Sequence, residues 1–542
     1  MKRGSERIGA IIVLAAGALV SSAAAQTADT LIAVEGGTIR GTTAQAGSGV
    51  RVFRGIPYAR PPVGALRWKP PQPVEAWSGT RDCAQFGPSC IQPDQKVIRG
   101  ITGPKSEDCL YLNVWTAAPK EEARPVIVWI HGGGFAIGSG AQALYGGLSF
   151  ARDGAVEVTI NYRLGPFGFM AHPALSAESP DHVSGNYGLL DMIQALRWVH
   201  DNIAAFGGDP ANVTIFGESA GSVAVGCLIA SPLARGLFHR AIMESGVAAS
   251  LPPLHRQGAD DSLATEATGV AIARQAGLDD SAGATEEVAA RLRAIPAEAL
   301  LQAASPRVGL FGSGRKMGPA IDGYVLPREP LEIYASGEGN IVPVLIGTNA
   351  DEGTLFLPEI PIRKTTGYVL AARRLFGEYA DEVLRMFPVR TDSEVRPAIA
   401  RLVTISSFIA PARRAARAMS THNPNVWMYH FTRVAPPLSA RGLGATHGAE
   451  IFYVFKPYPD AALLSGQDET VSDAMHAAWL QFARTGNPAI DGGARWPAYT
   501  SAKDAYMEFG DRIGEGSGLD SRECDLFDKI ASSWRQMRHF SR

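Results

Sequence analysis

Beyond Ala25 the chain has no apolar run approaching the roughly 18 residues that would cross a bilayer, so no later segment is expected to span a membrane. Charge of one sign is also missing. Lys and Arg number 51 against 53 Asp and Glu, a formal net charge of −2, and no basic excess argues for nucleic acid. Cysteine is scarce: Cys83, Cys90, Cys109, Cys227 and Cys524 are the whole set, and the odd count leaves at least one without a partner in the chain. No C-x-x-C or H-E-x-x-H pattern occurs, so no metal site is expected. Internal repeats, heptads and low-complexity tracts are absent, which excludes solenoid and coiled-coil designs.

What is present is a chain of 542 residues, 46% hydrophobic and 19% charged, the balance of a folded protein with a large core. Its first residues have the layout of an export signal. Met1-Lys2-Arg3 opens a basic region diluted by Glu6, Ile8 to Val20 is a short apolar stretch, and Ala23-Ala24-Ala25 fits a cleavage site before Gln26. The apolar stretch is too short for an uncleaved spanning anchor. The expectation is a signal peptide over 1–25 and a mature chain over 26–542, soluble and secreted or periplasmic, where disulfides are permitted.

Residues 31–60 alternate short β-like pieces with glycine turns and read as an opening antiparallel meander. Residues 61–105 are rich in Pro and Gly and read as loop. "CLYLNVW", "RPVIVWI", "AVEVTI", "VTIF", "HRAIMESG", "IVPVLIG" and "VWMYHFT" are strand candidates. Between them "NYGLLDMIQALRWVHDNIAAFGG" has apolar residues at helical spacing and a closing Gly207-Gly208. Helical patterns recur over 256–310, 365–422 and 470–485. Alternating strands and helices imply a large, mostly parallel central sheet flanked by helices, an α/β fold with helical cap insertions and no evident linker between domains.

"VTIFGESAGS" carries the chemistry. A short strand runs into Gly217-Glu218-Ser219-Ala220-Gly221, a G-x-S-x-G pattern suited to a sharp strand-to-helix turn that exposes one hydroxyl. A serine hydroxyl is a weak nucleophile until a histidine takes its proton, an acid orients that histidine, and donors face the developing oxyanion. His131-Gly132-Gly133-Gly134-Phe135 follows the strand "VIVWI" as an HGGG-type loop. The amides of Gly133 and Gly134, with that of Ala220, are the expected oxyanion donors. The acid belongs on a loop after a later strand, where "GTNADEGT" offers Asp351 and Glu352 with nothing in their spacing to choose between them. Of the histidines beyond them, His430 falls inside a strand, His476 on a helix, and His422 and His539 at exposed positions. His447, in the small-residue loop "GATHGAE", is the expected base. Cys227, in an apolar helical stretch, reads as a buried thiol.

These residues together resemble the type-B carboxylesterase/lipase family, which includes cholinesterases and bacterial para-nitrobenzyl esterases. The resemblance rests on "FRGIPYARPPVGALRW", "SEDCLYLNVW", "VIVWIHGGGF", "NYRLGPFGF", "IFGESAGS", "IGTNADEGT", "THGAEIFYVF" and "WPAYT", spread over nearly the whole mature chain. It implies an α/β-hydrolase fold and a Ser219–Glu352–His447 triad, choosing Glu352 over Asp351. It also implies an oxyanion hole of Gly133, Gly134 and Ala220, a disulfide between Cys90 and Cys109, and chemistry on small-molecule esters that needs no metal or organic cofactor.

The ester is less legible. Arg315 and Lys316, in "FGSGRKMGPAIDG", match a family segment near the active-site gorge, where walls are mostly apolar. Cations there would suit an ester carrying free carboxylates. Some family members remove tricarballylate side chains from fumonisin-type toxins, so the resemblance admits such substrates. No aromatic cage for a quaternary ammonium is identifiable. Two alternatives stand: a lipase, which long-chain emulsions would reveal, and a non-catalytic cholinesterase-like binding protein, which a fluorophosphonate probe would leave unlabelled.

Overall fold

The computed structural model describes residues 30–94, 103–255, 264–278, 285–457, 466–489 and 492–540; the expected signal peptide lies outside the described residues. Eleven strands form one sheet. In chain order they are β1 (Thr42–Thr43), β2 (Arg51–Pro57), β3 (Tyr111–Thr116), β4 (Arg124–Ile130), β5 (Val156–Ile160), β6 (Gly208–Glu218), β7 (Arg240–Glu244), β8 (Val344–Asn349), β9 (Val426–Phe431), β10 (Ala505–Phe509) and β11 (Ile513–Ser517). Across the sheet they run β11-β10-β9-β8-β7-β6-β4-β5-β3-β2-β1. The six pairings from β5 to β10 are parallel, and the pairs at both ends of the sheet are antiparallel.

The parallel strands read as unbroken apolar runs because both faces are covered. Along β4, Val126, Val128 and Ile130 enter one core cluster, with Val213, Ile215, Met243 and Ile346 from neighbouring strands. Ile127 and Trp129 enter the other, with Phe216, Leu345, Trp427 and Tyr429. The chain passes from β4 to β5 on one side and returns to β6 on the other. Connections therefore diverge at the carboxyl ends of β4 and β6, the place where open α/β sheets leave a crevice for ligands.

The helix Tyr187–Asn202 forms as its spacing predicts; a 3-10 turn, Ile203–Phe206, extends it, and Gly207 turns left-handed (φ 80°) to end that turn. Asp191, on its inner face, accepts from Arg163 Nε at 2.7 Å, Nη2 at 2.6 Å and the Arg163 amide at 3.0 Å. Both residues are buried. Cys90 and Cys109 are joined by a disulfide, and Cys83, Cys227 and Cys524 are buried free thiols.

The opening meander divides. Leu31–Val34 and Gly37–Arg40 pair antiparallel and join Thr80–Asp82 in a separate small sheet, while β1 and β2 edge the main one. Strands β10 and β11 have no counterpart in the sequence reading. Ile513–Ser517 carries two glycines, which mask a strand pattern, and the Cβ position of Gly516 lies 2.4 Å from the Tyr506 ring, so the cross-strand tyrosine occupies that space.

Candidate active site

Strand β6 delivers Ser219 and β4 delivers the glycine loop, side by side, with Gly217 opposite Ile130. The turn at Ser219 is strained: φ is 58° and ψ −120°, a left-handed setting rare for a residue with a side chain. Its neighbours explain the glycines. A Cβ on Gly221 would sit 2.0 Å from the Ile130 carbonyl oxygen, and one on Gly217 would sit 2.6 Å from the same atom. The turn is held by the Ser219 amide, which donates to the Glu244 carbonyl at 2.9 Å. The half-buried Ser219 opens the helix Ala220–Ala230, so the Ala220 amide has no intrahelical acceptor.

The glycine loop leaves two more donors free. The amides of Gly133 (φ 105°) and Gly134 (φ 65°) donate to no acceptor among the described residues. Only glycine fits at 133, because a Cβ there would lie 2.2 Å from the Ile137 oxygen.

Asp351 and Glu352, alike in the sequence, face different ways. Glu352 is fully buried; its Oε1 accepts from the Asn349 amide at 2.8 Å and its Oε2 lies 2.6 Å from His447 Nδ1. Asp351 Oδ2 instead accepts from the Ala445 amide at 2.9 Å and so shapes the loop that carries the histidine. The His447 side chain is largely covered by the rings of Phe356 and Phe408, which stack on each other and lie 5.1 and 4.9 Å from the imidazole. His430 is a strand residue of the interior and His476 a buried helix residue, its Nδ1 2.8 Å from the Val454 carbonyl.

His447 Nε2 faces a carboxylate, Oε1 of Glu218, at 3.1 Å. Among the described residues Ser219 Oγ makes no hydrogen bond, and it is Glu218, the residue before the serine, that meets the imidazole. The Cβ position of Gly448, next to the histidine, is 3.4 Å from Glu218 Oε1, so the histidine loop closes on the residue before the serine.

The electrostatics centre on that ring. Burial alone would lower the imidazole, yet the carboxylates of Glu218 and Glu352 outweigh it and hold His447 up at about 9. Burial raises Glu218 to about 7, against the pull of the imidazole. Behind it lie two more buried acids. Glu244 accepts from Trp479 Nε1 at 2.7 Å and is raised by burial to about 8. Glu450 accepts from Ser245 Oγ at 3.3 Å and from Asn349 Nδ2, and burial raises it well above the carboxylate range. Such a site can accept and return a proton at Nε2 and stabilise negative charge on an oxygen beside three free amides.

The profile of the carboxylesterase family matches residues 28–527. The chain belongs to that family. It is 40% identical to a fumonisin B1 esterase of Sphingopyxis macrogoltabida over 537 residues, covering 96% of this chain and 93% of that one. It is 36% identical to a para-nitrobenzyl esterase of Bacillus subtilis, covering 86% and 92% of the two. The solved structure of a PNB esterase superposes with a TM-score of 0.77 at 34% identity, over 92% of this chain and 100% of that one. The fold is thus the α/β-hydrolase fold, and this carboxylesterase-family member is an ester-hydrolysing enzyme, which removes the binding-protein alternative.

Sequence reading of this carboxylesterase missed Glu218, Glu450 and Arg307. The first two stood inside quoted motifs, and the available signal was an acid set among small or apolar residues in "GESAG" and "GAEIF". Arg307 joins Arg315 through the backbone: its amide donates to the Arg315 carbonyl at 2.8 Å. Arg315 Nη2 donates to Gln275 Oε1 at 2.9 Å. Lys316 is exposed, and its ammonium is held below the usual lysine value by surrounding protein and by Arg307. None of the three cations has a carboxylate partner among the described residues. Among the described residues no group of three or more His, Cys, Asp and Glu is disposed to hold a metal ion, and no helix is long and apolar enough to cross a membrane.

Proposed function

We propose that this is a secreted serine esterase, with residues 1–25 a cleaved signal and 26–542 one catalytic domain, working through Ser219, Glu352 and His447. The observation that carries the triad is the 2.6 Å contact between Glu352 Oε2 and His447 Nδ1 beside a serine in a left-handed turn. Glu352 holds the ring at Nδ1 and leaves Nε2 against Glu218; in the proposed reaction Nε2 turns from Glu218 to the adjacent serine when substrate binds, a contact that is commonly open beforehand. His447 takes the Ser219 proton as Oγ attacks the ester carbonyl. The amides of Gly133, Gly134 and Ala220 bind the oxyanion. The alcohol leaves with the proton from His447, and water activated by the same nitrogen then releases the acid from the acyl-enzyme.

The preferred ester carries free carboxylates. Arg307, Arg315 and Lys316 lie on one segment over the site: the Arg307 carbonyl is 3.9 Å from the Cβ position of Gly134, and the ring of Phe311 is 6.5 Å from that of Phe356. Three cations without internal acids can meet a polycarboxylate. The relative named as a fumonisin B1 esterase supports the same reading.

Fluorophosphonate labelling tests the nucleophile: it is expected to be complete in the native enzyme and absent in Ser219→Ala. Labelling that survives Ser219→Ala would reject the triad. Comparing a tricarballylate ester with a neutral ester of equal size tests the substrate. Arg315→Ala and Lys316→Met should slow the first about tenfold and spare the second; equal effects on both would refute the carboxylate preference.

A further inference from the structure

The long helical segment from Val395 to Met419 is interrupted by a π-helical turn, Thr404–Ile409, between α-helical stretches Val395–Val403 and Ala410–Met419. Such turns are rare and cost regular hydrogen bonding, so their location calls for a reason. Three residues four apart, Ala400, Thr404 and Phe408, contact the loops that carry the acid and the histidine. The Ala400 carbonyl oxygen lies 2.1 Å from the Cβ position of Gly353, the residue after Glu352, so the helix backbone closes directly on that loop. Thr404 Oγ1, on a residue that is buried, accepts from the Gly353 amide at 2.9 Å. Phe408 packs against the His447 ring with centroids 4.9 Å apart.

An uninterrupted α-helix could not keep all three in line. Four residues at 3.6 per turn overshoot by about 40°, and eight by about 80°. The wider π turn undershoots over its own four residues, so the drift from Ala400 to Thr404 is nearly cancelled from Thr404 to Phe408. The opposite side of the same turn keeps its own packing, with Ile405 and Ile409 in a cluster that includes Phe527 and Ile530.

We infer that the π turn is a device that sets the acid and histidine loops in register, with Thr404 as its positioning residue. Thr404 touches neither substrate nor reacting atoms. It fixes the peptide that follows Glu352, and with it the 2.6 Å separation from His447 Nδ1. The inference rests on the proposed roles of Glu352 and His447.

The test compares Thr404→Val, which keeps the shape and leaves the Gly353 N–H without an acceptor, with Thr404→Ser, which restores the acceptor. Thr404→Val is expected to lower kcat at least tenfold with KM within about threefold. It should also move the acid limb of the kcat/KM profile to lower pH, because Glu352 is one of the carboxylates that raise His447, while Glu218 and Glu450 still face the ring. Thr404→Ser is expected to recover most of kcat and the native limb. The inference is overturned if Thr404→Val leaves kcat and the limb unchanged, or if Thr404→Ser is as impaired as Thr404→Val, which would mark a packing role alone. Thr404→Ala, judged by the same outcomes, serves if the valine variant does not fold. Fluorophosphonate labelling of His447→Ala keeps the two ideas apart: undiminished labelling there would sink the base assignment, whatever Thr404 does.

Discussion

Glu218→Gln removes a negative charge beside Nε2 of His447, the proposed base, while keeping the shape of the side chain. Glu218 Oε1 is 3.1 Å from His447 Nε2. At an effective dielectric of about 20, Coulomb's law gives roughly 5 kcal/mol for unit charges at that distance, an upper bound before desolvation is counted. Burial opposes the charged imidazole, yet His447 still stands at about 9 against an ordinary 6.5. The charge of Glu218 is the largest single contribution to that rise, with Glu352 adding both charge and a hydrogen bond. Opposite charges this close typically shift a group by about 1–3 units, so losing Glu218 should lower His447 by roughly 1–2 units, or about 1.4–2.7 kcal/mol. The base acts when neutral. The native enzyme should therefore lose kcat/KM as pH falls through a value well above that of a free imidazole, and Glu218→Gln should keep its activity to a pH about 1–2 units lower. A pH-stat assay on a short neutral ester from pH 5 to 10, with active sites counted by fluorophosphonate titration, reads the limb directly. An unmoved limb, or one displaced to higher pH, would refute the electrostatic account of this site.

Three further outcomes follow from packing and covalent geometry. Replacing both Cys90 and Cys109 by alanine frees a loop of sequence separation 19 and should cost about 3 kcal/mol by chain entropy, seen as a lower midpoint in denaturant. Arg163→Met leaves Asp191 buried and unpaired, so a loss of about 3–5 kcal/mol is expected in the same measurement, partly relieved by pairing it with Asp191→Leu. Gly221→Ala drives a methyl group into the Ile130 carbonyl, and is expected to abolish fluorophosphonate labelling even where the protein remains folded by circular dichroism.

Much of the sheet was legible because buried parallel strands leave continuous apolar runs, and β4 to β9 all fall on such runs. β10 and β11 were not, since a half-buried pattern and two glycines in Ile513–Ser517 carry little apolar signal. The candidate site is conspicuous for a related reason: the strained serine turn and the glycine loop demand small side chains at fixed spacing, and spacing is what a sequence displays. Asp351 and Glu352 were inseparable by spacing because the difference between them is direction, which depends on a helix some fifty positions later. The same limit hid Glu218, whose importance comes from a histidine that only folding brings near. Arg307 escaped notice because its link to Arg315 runs through backbone hydrogen bonds that no side-chain pattern announces.

The proposed chemistry and the proposed substrate preference lie on different parts of the chain. Ser219 and Glu352 follow closely on the ends of β6 and β8, strands built into the middle of the sheet. The cationic segment is inserted between β7 and β8 and pairs with none of the sheet's strands. Under the proposed roles, exchanging that insertion would alter which ester is accepted while leaving the strands that carry the serine and the acid untouched.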